Sequence, residues 1–506
     1  MGYASSIGPK PGAEPLDDAR PLRLPPWPVW LATAVFLLVE LVASGRYGFH
    51  RDELYFLVAG NRLAFGYVDQ GPLAPLLEHL ASLAFGTTPT AIRIVPALCG
   101  AVTIPVAALI AQTLGGARFA QSLAAVAAAC DPVLLAGAHL AGTTIYDLLG
   151  WALVLLFVLR ALLAGERRAW LWAGLVAGID LENKNLILLL AAALLLALVL
   201  STWRNVLRTR WLWAGVGAAA LIFLPEVVWQ SQHAWPALAM SRALASEHSA
   251  AGDYVGYIPA QLIYPGILAL PIVIAGIAFL MRTRELRFLA IAYLIVVAFV
   301  FIDIPGRAYY PAGFYPLLFA AGAVAIEAKA SAHRRAAYLI APVVGALASL
   351  VLVLPLLPLH TMAKLRFLHK LAYDQGETVG WPQLTRAVAN VYDALPAKQR
   401  ASAAVFTSNY GEAAAIALYG TSYHLPRPLS AHNSYWIWGP GNQSDATVIA
   451  FASVGQLSRH FAHCRYDTTF HSPLNVNNDE NGSQVWTCTN PHGPWSSFWP
   501  SLKNYG

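Results

Sequence analysis

The sequence predicts a mainly helical membrane protein with about eleven transmembrane segments, followed by a small α/β domain. Of the 506 residues, 57% are hydrophobic and 12% are charged, and the mean hydropathy is +0.52. Soluble domains carry about 25% charged residues, so half that proportion over this length is typical of a polytopic membrane protein. After about residue 360 the long apolar runs stop, which indicates a separate C-terminal domain.

The predicted segments follow from the apolar runs, most of which are long enough to cross the hydrocarbon of a bilayer. The runs lie at about 27–45, 91–114, 119–137, 145–163, 170–181, 185–202, 211–229, 259–281, 287–302, 312–328 and 336–358. The run at 170–181 is short, and we expect it to span only as part of a tight hairpin with 185–202.

Basic residues are distributed unevenly between the two alternating sets of loops. One set carries sixteen, namely Lys10, Arg20, Arg23, Arg118, Arg160, Arg167, Arg168, Arg204, Arg208, Arg210, Arg282, Arg284, Arg287, Lys329, Arg334 and Arg335. The other short loops carry six: Arg46, Arg51, Arg62, Lys184, Arg242 and Arg307. Because loops rich in Lys and Arg stay in the cytoplasm, the N-terminus is predicted inside and the C-terminal domain outside.

Three regions are therefore expected. Residues 1–26 are polar and rich in proline, and we interpret them as a disordered cytoplasmic leader. Residues 27–359 form the transmembrane domain, with an outer-face loop at 46–90 that is amphipathic and lies along the interface. Residues 360–506 alternate short apolar stretches with helical patterns, as in a small α/β domain. Cys464 and Cys488 fall in this domain, where a disulfide between them is plausible in an oxidising compartment.

The predicted outer face collects polar residues that are costly to hold near hydrocarbon. They occur in HRDELYF, YVDQGPLAPLL, TTIYDLL, LENKNL, LPEVVWQSQHAW and GRAYYPAG, and are His50, Asp52, Glu53, Asp69, Gln70, Asp147, Lys184, Glu226, His233, Arg307, Tyr309 and Tyr310. Charges at segment ends often only reach the interface or pair with each other. That interpretation fits Asp52 and Asp147 less well, because their short side chains cannot reach far from the apolar runs beside them.

Such a cavity suits the transfer of a group from a lipid phosphate. A carboxylate can act as general base on an acceptor hydroxyl or can hold a metal ion. Lysine and arginine can neutralise a phosphate, and arginine can do so through two parallel hydrogen bonds. The sequence has no Walker A motif and no dinucleotide fingerprint, which disfavours an ATP-driven pump or a nucleotide-sugar donor.

These segments, in this order, resemble the integral-membrane glycosyltransferases of family 39. That family includes relatives of the dolichyl-phosphate-mannose–protein mannosyltransferases and of the lipid A aminoarabinose transferase, with the GT-C fold. The likeness covers about residues 27–330 and, more loosely, the C-terminal domain with NYGEAAAIALYG and HNSYWIWGP. ENKN replaces the small or hydroxyl residues that often precede the family's lysine, and Leu148 stands where many relatives have proline.

The resemblance implies inverting transfer of a sugar from a polyprenyl-monophosphate carrier to an acceptor outside the cytoplasm. Asp52 then corresponds to the catalytic base, Glu53 orients it or contacts the acceptor, and Asp147 binds the acceptor or a metal near the sugar. Lys184 and Arg307 hold the carrier phosphate, assisted by Tyr309 or Tyr310. The other outer-face residues, His50, Asp69, Gln70, Glu226 and His233, are expected to line the substrate cavity. The expected cofactor is at most a divalent metal ion, held by Asp52 and Asp147.

Two alternatives remain at this stage. Intramembrane charges could bind cargo in a transporter or a flippase of lipid-linked molecules, although we find no clear repeat between the halves. The C-terminal domain could instead be a sugar-binding or assembly module beside an inactive membrane part. The net charge of +6 reflects the loop bias, so no nucleic-acid partner is expected. Abundant Ala and Leu with little Lys favour a GC-rich bacterial genome, and hence the bacterial inner membrane.

Overall fold

The structure is a computed structural model that describes residues 22–247, 251–303, 307–365, 372–441 and 446–505. Most of the predicted leader therefore lies outside the described residues. The membrane part begins with α1 (Trp27–Ala43), α2 (Arg51–Gly60), α3 (Leu73–Phe85) and α4 (Pro89–Thr113). Next come α5 (Arg118–Ala129), α6 (Pro132–His139), α7 (Thr143–Leu163), α8 (Ala169–Leu181), α9 (Ile187–Val199) and α10 (Arg210–Gln232).

Six more helices complete the membrane part. They are α11 (Pro236–Glu247), α12 (Ala251–Ile263), α13 (Ile267–Arg282), α14 (Arg287–Asp303), α15 (Tyr310–Lys329) and α16 (Ala332–Val353). A helix lies at each of the eleven predicted apolar runs. Within the described ranges, five helices are long and apolar enough to cross a membrane, and seven spans result if each bent pair counts as one. The fold class is confirmed, whereas the count of eleven spans stays a prediction.

The bent pairs and short helices explain the difference in count. Helices α5 and α6 meet at 54°, and the segments Tyr254–Ile263 and Ile267–Arg282 meet at 65°. Helices α8 and α9 have 13 residues each, about 20 Å of helix, which is shorter than the roughly 30 Å hydrocarbon core. Length and composition alone therefore do not assign these helices as full spans.

Helices α8 and α10 pack backbone against backbone. A Cβ atom placed on Gly174 would lie 2.1 Å from the carbonyl oxygen of Gly215, so only glycine permits this approach. Small residues at such contacts are typical of helices that associate within a bilayer, where close van der Waals packing replaces the hydrophobic effect. Helices α7 and α15 are mostly buried, whereas α10 and α16 are mostly exposed at the periphery.

The C-terminal region begins with α17 (Leu359–Lys364), α18 (Tyr373–Gly376), α19 (Trp381–Asp393) and α20 (Ala397–Arg400). Then follow β1 (Ala403–Thr407), α21 (Tyr410–Tyr419), β2 (Pro428–Ser430), α22 (Ser434–Trp438), β3 (Thr447–Phe451) and α23 (Val454–Leu457). The last elements are β4 (Phe461–Thr469), β5 (Gln484–Pro491) and α24 (Trp495–Phe498).

The five strands form one sheet in the order β2-β1-β3-β5-β4. Strand β1 is parallel to β2 and β3, and β5 is antiparallel to β3 and β4. Cys464 and Cys488 are paired in register on β4 and β5, and their sulfur atoms form a disulfide. The predicted small α/β region is present. Helix α21 follows β1 and packs on α2 of the membrane part, which joins the two regions at the predicted outer face.

Candidate active site

The start of α2 presents Asp52. His50 precedes the helix as its N-cap, and its ring accepts a hydrogen bond from the Asp52 amide, while the Glu53 carboxylate accepts from the His50 amide. This reciprocal cap satisfies amide groups that have no partner within the helix and sets the direction of the first turn. The Asp52 side chain remains 43% exposed, so this carboxylate is accessible to a substrate.

The charge of Asp52 is set by its neighbours. Partial burial acts to raise its pKa, but His50, Arg51, the Tyr410 hydroxyl and Arg307 outweigh burial and hold the pKa below its usual value. The Tyr410 hydroxyl donates to Oδ1 over 2.7 Å. Hydrogen bonds and positive charges favour the ionised form of an acid, so Asp52 is a carboxylate at neutral pH.

Glu53, the other acid of the predicted pair, is fully buried. Its carboxylate accepts hydrogen bonds from Nε and Nη2 of Arg93 at 2.8 and 2.7 Å, and from the Ala141 amide at 2.9 Å. Arg93 is equally buried and also donates to the carbonyl oxygens of Ser44 and Gly48. This geometry suits a residue that anchors α2 and does not suit contact with an acceptor, which corrects that part of the expectation for Glu53.

Asp69 lies beside Asp52 on the segment between α2 and α3. Its carboxylate accepts from the Tyr55 hydroxyl at 2.8 Å and from the Asn433 amide at 3.4 Å, and the amide of Gln70 faces it. Burial raises the pKa of Asp69 to about 7; the charge of Asp52 adds to this effect and the hydrogen bonds oppose it. Asp69 therefore changes its protonation state near neutral pH.

The segment after Asp69 is joined to the loop that carries Lys184. The amides of Gly71 and Leu73 donate to the carbonyl oxygens of Asn183 and Glu182 at 3.3 and 2.8 Å. A Cβ atom on Gly71 would lie 2.1 Å from the Glu182 oxygen, so the close approach requires glycine. The motif DQG thus connects the acidic end of the site with its basic end.

Lys184 is half-buried between α8 and α9. Its ammonium group lies over the rings of Tyr310 and Tyr309, at 4.5 and 5.8 Å from the centroids. Arg307 acts electrostatically on Lys184 and also on Asp52, and it is half-buried. Arg307 is thus an electrostatic neighbour of both Lys184 and Asp52.

Asp147 on α7 is buried close to this basic group. Its Oδ1 accepts from Nε1 of Trp151 at 3.1 Å, and it interacts electrostatically with both Lys184 and Asp180. Asp180 accepts from the Asn183 amide, and its Oδ2 has no hydrogen-bond partner among the described residues. Sequence analysis did not single out Asp180, although the acid stands at the end of an apolar run, as Asp147 does at the start of one.

Glu226 lies on α10, and His233 follows the end of that helix. Glu226 is buried next to Gly66 and Gly71, whereas His233 stacks on Trp229 with 4.1 Å between ring centroids. His233 and Trp229 line a separate cavity of about 340 Å³. The predicted cavity residues therefore divide between the region around Asp52 and this second opening.

The surroundings of Asp52 and Asp147 decide whether these acids could hold the predicted metal ion. Among the described residues, no group of three or more His, Cys, Asp or Glu side chains could hold a metal ion. Asp52 instead faces Tyr410, and Asp147 faces Trp151 and Lys184. These surroundings do not fit the predicted ion, so no step of the mechanism is assigned to it.

The comparisons with known proteins concern the family and the fold. Residues 69–229 match the protein family described as dolichyl-phosphate-mannose-protein mannosyltransferase. No curated protein matches the chain in sequence. The matched range contains Asp69, Asp147 and Lys184, but it begins after Asp52.

Solved structures show the same fold over most of the chain. ArnT from Cupriavidus metallidurans, in the apo state and bound to undecaprenyl phosphate, aligns with a TM-score of 0.59 and 16% identity, covering 91% of this chain and 97% of that chain. The Archaeoglobus fulgidus oligosaccharyltransferase, tethered with an acceptor peptide, aligns with a TM-score of 0.50 and 12% identity, covering 90% of this chain and 75% of that chain.

The family match over residues 69–229 and the fold shared over most of the chain both relate this protein to membrane glycosyltransferases. The predicted resemblance is confirmed in two respects: residues 69–229 match the protein-mannosyltransferase family, and most of the chain shares the fold of ArnT.

Proposed function

We propose that this protein transfers a sugar from a polyprenyl-phosphate carrier to an acceptor outside the cytoplasm, with inversion at the anomeric carbon. The observation that carries the proposal is the position of Arg307, which acts electrostatically on the exposed carboxylate of Asp52 and on the Lys184 and Tyr310 group. In this proposal, a base and a phosphate-binding group face one space.

The reaction assigns a role to each side of that space. The acceptor hydroxyl oxygen attacks the anomeric carbon, and the bond between that carbon and the phosphate oxygen breaks. The electron pair leaves with the polyprenyl phosphate, whose growing negative charge Lys184 and Arg307 stabilise. Asp52 accepts the hydroxyl proton. Because its pKa is low, Asp52 accepts the proton late, when the attacking oxygen has become strongly acidic.

The supporting residues have distinct roles in this proposal. Glu53 and Arg93 position α2, and Tyr410 positions the Asp52 carboxylate. Asp147 interacts with Lys184 and so aligns the ammonium group or contacts the bound sugar. Tyr309 and Tyr310 offer ring surfaces beside the carrier phosphate.

The topology proposed with this function follows the loop charges. The N-terminus lies in the cytoplasm of a bacterial cell, the protein spans the inner membrane, and residues 360–506 form the domain outside. The acceptor is a cell-envelope glycan, a lipid or a protein. A transporter or flippase is less well supported, because Asp52, Asp69 and Lys184 lie at or beyond helix ends and not in the middle of long helices.

The test uses purified full-length protein with a panel of labelled polyprenyl-phosphate sugars. We expect wild type to consume one donor and Asp52→Asn to consume it at least about 100-fold more slowly, as for loss of a general base. Asp393→Asn is the matched control, because the Asp393 side chain is 66% exposed and lies on α19, away from the site.

Two results would contradict the proposal in different ways. If no donor is consumed and none binds, the transferase function is wrong. If Asp52→Asn consumes the donor as fast as wild type, the class survives but the assignment of Asp52 as the base fails. Product stereochemistry, read by NMR, tests inversion separately.

A further inference from the structure

A second cavity lies beside the candidate active site. Its volume is about 340 Å³, and three parts of the chain line it: the segment after α2, the end of α10, and α22 of the C-terminal region. The lining includes the side chains of Arg62, Leu63, Tyr67, Trp229, Ser434 and Trp438. Neither the proposed reaction nor the comparisons assign a role to it.

Among the described residues, the cavity is lined by one positively charged side chain, that of Arg62. The guanidinium of Arg62 lies 4.8 Å from the centroid of the Trp438 ring. Burial and the positive charge of Arg427 lower the pKa of Arg62. Within the described ranges, neither guanidinium has a carboxylate within 4.0 Å. The half-buried guanidinium of Arg62, which has no such partner, would be stabilised by an anionic ligand.

Aromatic rings form the other walls. Trp438 packs on Tyr435 at 4.8 Å and Trp229 packs on His233 at 4.1 Å between centroids, so both indole rings are held in place. Flat, fixed indole rings suit the apolar faces of sugar rings. An indole under a guanidinium also aligns the cation for a ligand bound against both. The combination favours a saccharide that carries a negative charge.

The cavity is connected to the proposed reaction centre through one layer of side chains. Ser434 lines the cavity and accepts a hydrogen bond from the Val68 amide, next to Asp69. The Trp438 ring lies 6.2 Å from the ring of Tyr55, whose hydroxyl donates to Asp69. A ligand in this cavity would therefore lie near the acids without touching Asp52.

We propose that this cavity is an acceptor subsite that binds an anionic sugar residue next to the one that is glycosylated. This inference rests on the proposed function, because only a transferase has an acceptor. The substrate class is a negatively charged saccharide. Arg62 binds the anionic group, while Trp438 and Trp229 pack against the sugar ring. Leu63 at the rim is 52% exposed, which leaves room for a lipid attached to that saccharide.

Binding can be measured without any donor or turnover. Full-length protein in lipid nanodiscs would be titrated, by saturation-transfer NMR, with a sulfated disaccharide, with sialyllactose and with neutral lactose. We expect at least one charged saccharide to bind and lactose to bind at least about tenfold more weakly, as expected for loss of one charge-assisted hydrogen bond. Arg62→Ala should lower the affinity for the charged saccharide by about tenfold, and Trp438→Ala should lower it similarly. Trp438→Phe should recover part of that affinity.

Arg386→Ala is the matched control, because Arg386 is a fully exposed arginine on α19 and should leave binding unchanged. The proposal is overturned if no charged saccharide binds wild type, if lactose binds equally well, or if Arg62→Ala has no effect. It is also overturned if vesicles of phosphatidylglycerol displace the saccharide while vesicles of phosphatidylcholine do not, since the site would then bind a lipid head group.

Turnover separates this inference from the proposed function. If no donor is consumed but the charged saccharide binds in a way that depends on Arg62, the cavity is a site for an anionic saccharide. The transferase assignment is then wrong. If donor is consumed and Arg62→Ala neither weakens saccharide binding nor lowers transfer, the subsite falls alone.

Discussion

The basic half and the acidic half of the candidate site are held in different ways. Lys184, Tyr310, Arg307 and Asp147 all come from the membrane part, on loops and helix ends that are at most 170 residues apart. Asp52 and Asp69 also lie in the membrane part, but each accepts a hydrogen bond from the C-terminal region, from Tyr410 and Asn433, across 358 and 364 residues.

The difference indicates a division of tasks. The side chains proposed to bind the carrier all come from the membrane part, as expected for a site that receives a lipid from the bilayer. The acids depend on the docking of α21 against α2, which Arg51 supports through Asp479 at 2.9 Å. Changes at the contact between the regions should therefore affect the chemical step more than binding of the carrier.

The largest effect is expected from breaking the anchor of the acidic half. Glu53→Gln leaves the buried Arg93 guanidinium without a counter-charge, which typically destabilises a protein by about 3–5 kcal/mol. We expect a large fall in the temperature of unfolding, measured by intrinsic fluorescence in detergent. Asp393→Asn should leave that temperature unchanged. The double change Glu53→Gln with Arg93→Met should recover part of the lost stability. An unfolding temperature of Glu53→Gln equal to that of wild type would contradict the anchoring role.

The second largest effect is expected at the basic half of the site. Lys184→Met should weaken binding of a polyprenyl phosphate by about 10- to 100-fold, because a hydrogen bond to a charged group contributes about 1.5–3 kcal/mol. Titration calorimetry would measure this, and the unfolding temperature should stay close to wild type. Lys184→Arg keeps the charge and should lose less affinity. Equal affinity in wild type and Lys184→Met would show that the carrier phosphate binds elsewhere.

The third effect tests the contact between the regions. Tyr410→Phe removes the hydrogen bond to Asp52, and we expect turnover to fall about tenfold with affinity for the carrier unchanged. Because that bond helps to lower the pKa of Asp52, its loss raises the pKa. The acid limb of the pH–rate profile should then move to higher pH, since the reaction needs the carboxylate.

Tyr423→Phe provides the control for this change, because the Tyr423 hydroxyl accepts from the exposed Arg386 and is not part of the site. A Tyr410→Phe protein with an unshifted pH profile would assign Tyr410 a merely structural role.

The smallest effect concerns the acids that surround Arg51 at the contact. Burial raises the pKa values of Glu377, Glu480 and Glu412 to about 7, and their mutual repulsion adds to this. An acid whose pKa is raised in the folded protein contributes stability that is fully present below its pKa of about 4.5 in the unfolded chain. That stability is lost as the pH rises through about 7. The unfolding temperature should therefore fall by a few degrees between pH 5.5 and pH 8.

Glu480→Gln should flatten that dependence, because the amide cannot ionise. A stability that rises between pH 5.5 and pH 8 in wild type would contradict the raised pKa values.

The residues that sequence analysis found share one kind of signal. Asp52, Asp147 and Lys184 each stand at the edge of an apolar run, where a charge is costly and therefore informative. Arg93 gave a similar signal inside the run at 91–114 but was not singled out. Tyr410 and Asn433 gave no signal, because Tyr and Asn are ordinary residues in an α/β domain.

The sequence by itself determined the helical class with its apolar helices and the small C-terminal sheet region, and it predicted polar residues at the ends of the apolar runs. These features depend on composition and on local periodicity, which neighbouring residues set. Only the tertiary structure decided that Glu53 is buried against Arg93 while Asp52 stays accessible, and that Arg62 meets Trp438. Such pairings join residues that are 40 or more positions apart. They arise from packing and from the burial of charge, and no local pattern in the chain encodes them.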